Sequence, residues 1–152
     1  MFSDAIDSIS RTLYHQASGL FLLRLATGAI FVAHGAMKLG NIAMTTQMMA
    51  HFGLLPANEW AWFIALLELV GGALLILGIA TRFFGAALGI EMVVAIFLTG
   101  IGRGFGPHEF EILLGAAAFA LALAGSGSWS LYPMECTSCR GFLCEGDTCT
   151  PV

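Results

Sequence analysis

Charged side chains are scarce in this chain, and their scarcity is the first constraint on what the protein can be. Only 6 Lys and Arg and 10 Asp and Glu occur among 152 residues, or 11% charged residues, whereas a soluble domain carries about 25%. So few charges do not cover a soluble surface. The net charge of −4 also argues against a nucleic-acid partner, which requires a basic stripe, and leaves no polybasic segment for anionic lipids.

Motifs that identify many enzymes are also absent. The chain has no nucleophile elbow, no phosphate-binding glycine loop and no dinucleotide-binding fingerprint. The haem attachment sequence C-x-x-C-H is missing as well, although a pair of histidines could still ligate haem. Cysteine does not occur before Cys136, so the apolar part of the chain has no thiol chemistry.

Apolar sequence is what the chain has in abundance, with 58% hydrophobic residues and a mean hydropathy of +0.86. A transmembrane helix needs about 20 largely apolar residues, and backbone groups in lipid must be satisfied within the segment. We therefore predict an all-α fold, an antiparallel bundle of four transmembrane helices. The predicted spans cover residues 20–39, 60–80, 83–101 and 107–124.

A further short helix is predicted between the first two spans. Met44, Met48, Phe52 and Leu55 recur at spacings of three or four, which indicates an amphipathic helix that lies at the interface or re-enters the bundle. Pro56 is expected to end it.

The chain divides into three predicted segments: a polar N-terminal segment (1–18), the four-helix membrane domain (19–131) and a cysteine-rich tail (132–152). With four spans both termini lie on one side of the membrane. That side receives three basic residues and the other side two, which favours cytoplasmic termini in a bacterial inner membrane.

Glycines and short links indicate which spans are neighbours. Gly85-x-x-x-Gly89 in span three and Gly71-Gly72 in span two predict close approach of helix backbones. The very short link at residues 81–82 predicts that spans two and three form an antiparallel hairpin.

Ionisable residues interrupt every apolar span, although a charge at the bilayer centre costs about 2.5–3.5 kcal/mol. The candidates for ligand binding or proton exchange are Arg24, His34, Lys38, Glu68, Glu91 and Glu111. A rise of about 1.5 Å per residue places most of them in the outer half of the bundle, with Arg24 toward the inner half and Glu91 near mid-depth. This distribution predicts a polar pocket that opens to one face.

Each candidate also has a structural interpretation. Lys38 fits a lysine that snorkels to the interface, and His34 fits a packed, hydrogen-bonded histidine. Glu68 would form a compensated pair with Lys38 or Arg103, whereas Glu91 has no obvious partner in the sequence. Both glutamates are therefore compatible with a structural ion pair or a protonated acid.

Glu109 is better explained by a helix start than by a site. With Gly106 as N-cap and Pro107 as the first helical residue, Glu109 becomes the third helical residue, where an acid stabilises the helix dipole.

The tail carries all four cysteines, Cys136, Cys139, Cys144 and Cys149, in the spacing C-x2-C-x4-C-x4-C. This is the spacing of a zinc knuckle, and Zn²⁺ accepts four thiolates in a tetrahedron. Two disulfides or an iron–sulfur cluster are the alternatives, and cytoplasmic termini disfavour the disulfides. Arg140 alone is basic among three acidic residues here, so the tail does not fit nucleic-acid binding.

Several short motifs occur in a fixed order along the spans. They are Arg24, His34-Gly35 followed by Lys38, Glu68-Leu69-x-Gly71-Gly72, Leu77-Gly78-Ile79-Ala80-Thr81-Arg82, Glu111 with Leu113-Leu114, and Gly125-Ser126-Gly127-Ser128-Trp129-Ser130-Leu131. In this order they resemble the DoxX family of small four-helix membrane proteins over more than two-thirds of the chain. The family's usual Asp after the last motif is Tyr132 here, and the cysteine tail is not part of the family pattern.

The resemblance implies association with membrane redox systems. Some DoxX members resemble subunits of quinone-linked oxidoreductases, including thiosulfate:quinone and terminal quinol oxidase systems, and others are linked to membrane thiol-redox complexes. We therefore predict a small subunit of a quinone- or thiol-linked membrane redox system, with other membrane subunits as partners, a quinone in the pocket and zinc in the tail. The alternative is a non-catalytic structural or assembly subunit that docks through its tail.

Overall fold

The computed structural model describes residues 16–100, 106–127, 130–131, 142–145 and 148–151. Over these residues the chain forms five α-helices, a 3-10 turn and one β-hairpin. The helices are α1 (Gln16–Gly40), α2 (Ile42–His51), α3 (Ala57–Leu77), α4 (Thr81–Thr99) and α5 (Glu109–Ala124). The turn Gly106–His108 precedes α5, and the hairpin consists of β1 (Phe142–Glu145) and β2 (Thr148–Pro151).

Three of the helices are long and apolar enough to cross a membrane, namely α1, α3 and α4. Their outward-facing side chains are apolar: Leu22 is 62% exposed and Phe83 is 68% exposed, as expected where lipid replaces water. Helix α5 has 16 residues, or about 24 Å at 1.5 Å per residue, and is shorter than the hydrocarbon layer of about 30 Å. The helical bundle is confirmed, with three helices that qualify as membrane spans by length and composition, and the crossing by α5 stays a prediction.

Close helix packing divides the bundle into two pairs, α1 with α3 and α4 with α5. A Cβ atom built on Gly28 would lie 2.6 Å from the Gly72 carbonyl oxygen, and one on Gly72 would lie 2.8 Å from the Gly28 oxygen. In the other pair, a Cβ atom on Gly85 would lie 2.8 Å from the Ala118 oxygen. The predicted close approaches at Gly72 and Gly85 are therefore confirmed, and no larger residue fits either seam without a shift.

The link between α3 and α4 lies earlier than predicted. Gly78 ends α3 in the left-handed conformation, with φ of +74°, and the Ile79 N–H donates to the Leu74 carbonyl at 2.9 Å. Thr81 already begins α4, so residues 81–82 are helical and the prediction that they form the link was wrong.

Helix α2 is the short helix predicted between the first two spans. Its buried residues are Thr45 and Met49, whereas Met44 is 65% exposed. The Thr45 hydroxyl lies 3.2 Å from the Lys38 carbonyl oxygen, so a polar contact at the turn from α1 contributes to the orientation of α2. The predicted short helix is confirmed, although it ends before Phe52 and Leu55. Met44 and Leu55 are exposed, which is compatible with a helix at the interface.

Pro56 also has a different structural role from the one predicted. Helix α2 begins after Asn41, whose side chain accepts a hydrogen bond from the Met44 N–H, and it ends at His51. Pro56 instead stands immediately before α3 as its N-cap residue, so the prediction that it ends the interfacial helix was wrong.

The hairpin in the tail is antiparallel and brings two cysteine positions together. Its register pairs Phe142 with Pro151 and Cys144 with Cys149. Cys136 and Cys139 lie outside the described residues, so the structure describes only two of the four predicted zinc ligand positions, and at these two only the backbone.

Candidate functional site

Lys38 connects three helices through its ammonium group. Near the end of α1, its Nζ lies 2.7 Å from Glu68 Oε1 on α3 and 3.8 Å from Glu91 Oε1 on α4. The predicted pair of Lys38 and Glu68 is therefore present. Glu91, for which the sequence offered no partner, shares the same ammonium. The other predicted partner of Glu68, Arg103, lies outside the described residues.

This ion cluster is deeply placed and does not balance in charge. The Glu68 side chain is 2% exposed and that of Lys38 is 23% exposed, while the Glu91 side chain is 10% exposed. Two carboxyl groups thus face one ammonium. Removing one partner of a buried pair costs about 3–5 kcal/mol, because the remaining charge is left uncompensated. The excess negative charge must therefore be compensated by surrounding residues, by a proton or by a ligand.

A cavity of about 570 Å³ lies directly beside the cluster. Its polar wall consists of His34, Lys38, Glu68, Glu91, Thr99 and Glu111. The remaining wall is mostly apolar and aromatic, with Trp60, Phe63 and Phe110 among its members. The volume falls within the range of about 300–1,000 Å³ typical of small-molecule sites, which combine an apolar wall with a few polar groups.

Two rings stack at one side of this cavity. His34 on α1 and Phe110 on α5 have ring centroids 5.4 Å apart and planes inclined by 15°. Both residues line the cavity, so a flat aromatic surface lies beside the polar groups. Neither the stack nor the role of Phe110 was predicted, because a lone Phe in an apolar helix gives no distinguishing pattern.

The carboxyl groups of the cavity have unused hydrogen-bonding capacity. Glu68, Glu91 and Glu111 each have a buried Oε2 atom without a hydrogen-bond partner in the described part of the chain. A buried polar atom left unsatisfied costs about 1–3 kcal/mol. Three such acceptors around one cavity indicate a place where a donor, a proton or water is expected.

Arg24 lies at the other end of the bundle and does not line this cavity. It precedes Lys38 by fourteen residues on α1, or roughly 21 Å along the helix. The residue is 1% exposed, and its guanidinium donates to the Ser126 carbonyl. The space around it is full, since a Cβ atom on Gly78 would lie 2.6 Å from Arg24 Nη1.

The glycine-serine motif after α5 therefore packs against the end of α3 and around Arg24. The Leu131 N–H donates to the Leu77 carbonyl at 3.1 Å, beside the contact of Arg24 with Ser126. The structure thus brings together five of the six predicted candidates, His34, Lys38, Glu68, Glu91 and Glu111, and leaves Arg24 apart from them.

The start of α5 differs from the prediction in its cap. His108 is the N-cap residue and Glu109 is the first helical residue, since Gly106–His108 forms a 3-10 turn. His108 is 4% exposed, with Nε2 3.1 Å from the Gly100 carbonyl oxygen, so it ties the end of α4 to the start of α5. Glu109 remains at the positive end of the helix dipole, as expected.

In the described ranges, no group of three or more His, Cys, Asp or Glu residues is arranged to hold a metal ion. Two of the four tail cysteines lie outside those ranges, so the zinc prediction for Cys136, Cys139, Cys144 and Cys149 stays a prediction.

Comparison with known proteins assigns the family. The DoxX family model matches residues 19–101. The chain is also similar to a Bacillus subtilis (strain 168) protein named "Putative oxidoreductase CatD", with 37% identity over 116 residues, covering 76% of this chain and 85% of that protein. No solved structure matches. The predicted resemblance is confirmed, and the chain belongs to the DoxX family.

Proposed function

We propose that this protein is a small membrane subunit of a redox system and that its cavity binds a quinone-class carrier. The observation that carries the proposal is the cavity of about 570 Å³ beside the ammonium of Lys38 and the carboxyl groups of Glu68 and Glu91. An apolar wall with a few convergent polar groups suits a lipid-soluble ring that carries polar oxygens. The oxidoreductase name of the Bacillus subtilis relative supports the redox assignment.

The polar residues have distinct roles in this proposal. A quinone oxygen accepts hydrogen bonds, so the Lys38 ammonium and a His34 ring N–H are its partners, and the ammonium also stabilises the anionic reduced form. Reduction of a quinone to a quinol consumes two electrons and two protons. Glu68 and Glu91 exchange the protons, and the electrons come from a cofactor-bearing partner subunit, since no dinucleotide or haem motif occurs in this chain.

The tryptophans provide a direct test of occupancy. Trp60 lines the cavity, whereas Trp62, two residues along the same helix, does not. In a Trp62→Phe, Trp129→Phe variant, we expect a short-chain benzoquinone to quench Trp60 fluorescence along a saturable curve. A Trp60→Phe, Trp129→Phe variant measures quenching from quinone dissolved in the micelle, which should not saturate.

The polar partners are tested in the same background. Lys38→Met and His34→Ala should each weaken the quinone affinity about tenfold or more, which corresponds to about 1.4 kcal/mol. The double variant Lys38→Met, Glu68→Gln removes both charges of the pair. It therefore tests whether a loss of affinity in Lys38→Met arises from misfolding caused by an uncompensated Glu68 carboxylate. Quenching that fails to saturate at Trp60, or an affinity unaltered in both single variants, would contradict the proposal.

The alternative of a structural or assembly subunit gives a different result. It expects a stoichiometric membrane complex whose activity survives both Lys38→Met and His34→Ala. Other subunits are also partners in the proposed function, so the survival of activity, and not co-purification, separates the two.

The tail and the orientation complete the proposal. We propose that Cys136, Cys139, Cys144 and Cys149 hold one Zn²⁺ on the cytoplasmic side of a bacterial inner membrane. The hairpin register, with Cys144 opposite Cys149, fits shared ligation and equally fits a disulfide. Elemental analysis of the purified protein, together with labelling of thiols in intact cells, reports the metal and the side of the membrane.

A further inference from the structure

The cavity wall offers more hydrogen-bond acceptors than donors. Glu68, Glu91 and Glu111 each contribute a buried Oε2 atom that has no partner in the described residues. The charged donor among the lining residues is Lys38, and its ammonium already contacts Glu68 and Glu91. The unmet demand in this cavity is therefore for donors, which a ligand can supply.

The most buried of these acceptors belongs to the ion pair. Glu68 is 1% exposed, and while its Oε1 atom receives the Lys38 ammonium at 2.7 Å, its Oε2 atom is left unsatisfied. Bulk water does not reach a carboxyl group buried to this extent. A group that enters the cavity with an O–H can therefore donate to an oxygen that has no hydrogen-bond partner among the described residues.

Resting on the proposed function, we propose that this cavity binds the reduced form of its carrier, a quinol with two phenolic O–H groups, in preference to the quinone. The oxidised ring carries acceptors alone and leaves the three carboxyl oxygens unsatisfied. The reduced ring has the same size and shape but donates twice. Sites that hydrogen-bond a hydroxyl reject an analogue without it more strongly than sites that distinguish shape alone.

The rest of the cavity fits a flat aromatic ring that arrives from lipid. The stacked pair of His34 and Phe110 offers a planar contact. Phe63 on α3 and Ile90 on α4 line the cavity and are each 56% exposed, so the wall between these helices reaches the outer, apolar surface of the bundle. A lipid-soluble ligand has access through this surface.

A matched series of ligands tests the preference on the full-length protein. Binding of a decyl-substituted hydroquinone, its benzoquinone and its dimethyl ether is measured by equilibrium dialysis under anaerobic conditions. We expect the hydroquinone to bind at least tenfold more tightly than either of the others, since the ether keeps the ring and lacks the O–H groups. For this two-electron couple, a tenfold preference raises the midpoint potential of the bound carrier by about 30 mV.

Neighbouring glutamates on α5 provide the matched variants. Glu111→Gln replaces a cavity acceptor outside the Lys38 pairs and should reduce the hydroquinone affinity at least fivefold while the quinone affinity stays constant or rises. Glu109→Gln, on the exposed side two residues earlier, should leave both affinities unchanged. Thermal unfolding in detergent verifies that both variants fold.

The outcomes separate this preference from the proposed function. Equal or tighter binding of the quinone overturns the preference and leaves a quinone-class site in place. Binding of neither ring overturns both. Tighter binding of tetraphenylphosphonium than of the hydroquinone also overturns the preference. This lipophilic cation has no N–H or O–H group, so its binding would show that the cavity selects ligands by positive charge and not by hydrogen-bond donation.

Discussion

The two ends of this bundle hold buried charge in opposite ways. At one end, Arg24 is 1% exposed, donates to the Ser126 carbonyl, and is packed so closely that Gly78 has no room for a side chain. At the other end, the ammonium of Lys38 contacts two carboxyl groups and lies beside a cavity of about 570 Å³. One charge is enclosed by backbone, whereas the other adjoins open space.

The difference is between a charge enclosed by the protein and a charge beside room for a ligand. Both residues interrupt apolar spans, and burial alone marks both as unusual. Around Arg24 the space is filled, so the residue ties the segment after α5 to α1. Around Lys38 there are unsatisfied carboxyl oxygens and room for a ligand. Room for a ligand, rather than burial of a charge, therefore distinguishes the candidate site.

The largest expected effect on stability comes from truncating Arg24, at the closely packed end of the bundle. Arg24→Ala removes one of the largest fully buried side chains and leaves the Ser126 carbonyl without this donor, so we expect a loss of about 2–5 kcal/mol in the free energy of unfolding. Ligand affinity of the folded fraction should stay within about twofold, because His34, the first residue of α1 to line the cavity, lies roughly 15 Å away along the helix. Thermal unfolding and dialysis measure the two quantities.

A matched arginine controls for charge. Arg82 is exposed at the start of α4, so Arg82→Ala should cost far less stability than Arg24→Ala. If Arg24→Ala instead folds normally and loses ligand binding, the two ends are not independent, and the contrast drawn between them is wrong.

The next largest effect on stability is expected at the contact between α1 and α3, where Gly28 faces Gly72. Gly28→Ala places a Cβ atom 2.6 Å from both the Gly72 oxygen and Ile76 Cγ1, and overpacking of this kind costs about 1–3 kcal/mol. Gly19→Ala on the same helix meets no atom within 4 Å and serves as the matched control. We expect a lower unfolding midpoint for Gly28→Ala alone, and equal midpoints for both variants would contradict the assigned seam.

The sequence predicted the membrane helices well because long apolar runs and glycine spacing determine them locally. It also paired Lys38 with Glu68, since both fall at similar depth in adjacent spans. It also placed Arg24 toward the inner half, away from most other candidates, but it could not identify what Arg24 contacts. The contact is with Ser126, which lies 102 residues away along the chain and comes close only after the bundle has formed.

Shorter features failed for a different reason. The buried face of α2 includes Thr45, whose hydroxyl contacts the Lys38 carbonyl oxygen, and apolar spacing alone does not reveal such a contact. The partner of Glu91 was likewise invisible, because the angle between α1 and α4 decides whether Lys38 reaches it. Periodicity assigns residues to a helix, whereas contacts between helices decide which residues meet.

The smallest expected effect on stability distinguishes Glu109 from Glu111, which lie within one turn of α5. The pair contrasts an exposed acid with an acid that lines the cavity. Glu109 is the first residue of α5 and is exposed, so Glu109→Gln should cost only about 0.3–1 kcal/mol, the usual contribution of an acid at a helix N-terminus. The loss should shrink at high salt, because screening acts on exposed charges.

Glu111→Gln should leave stability unchanged or raise it, since its buried Oε2 has no partner among the described residues and an uncharged amide is easier to bury. Chemical denaturation in detergent at two salt concentrations measures both variants. If Glu111→Gln destabilises the bundle more than Glu109→Gln does, then Glu111 contributes to the packing of the cavity end as Arg24 does to the other end, and unsatisfied acceptors no longer distinguish the two.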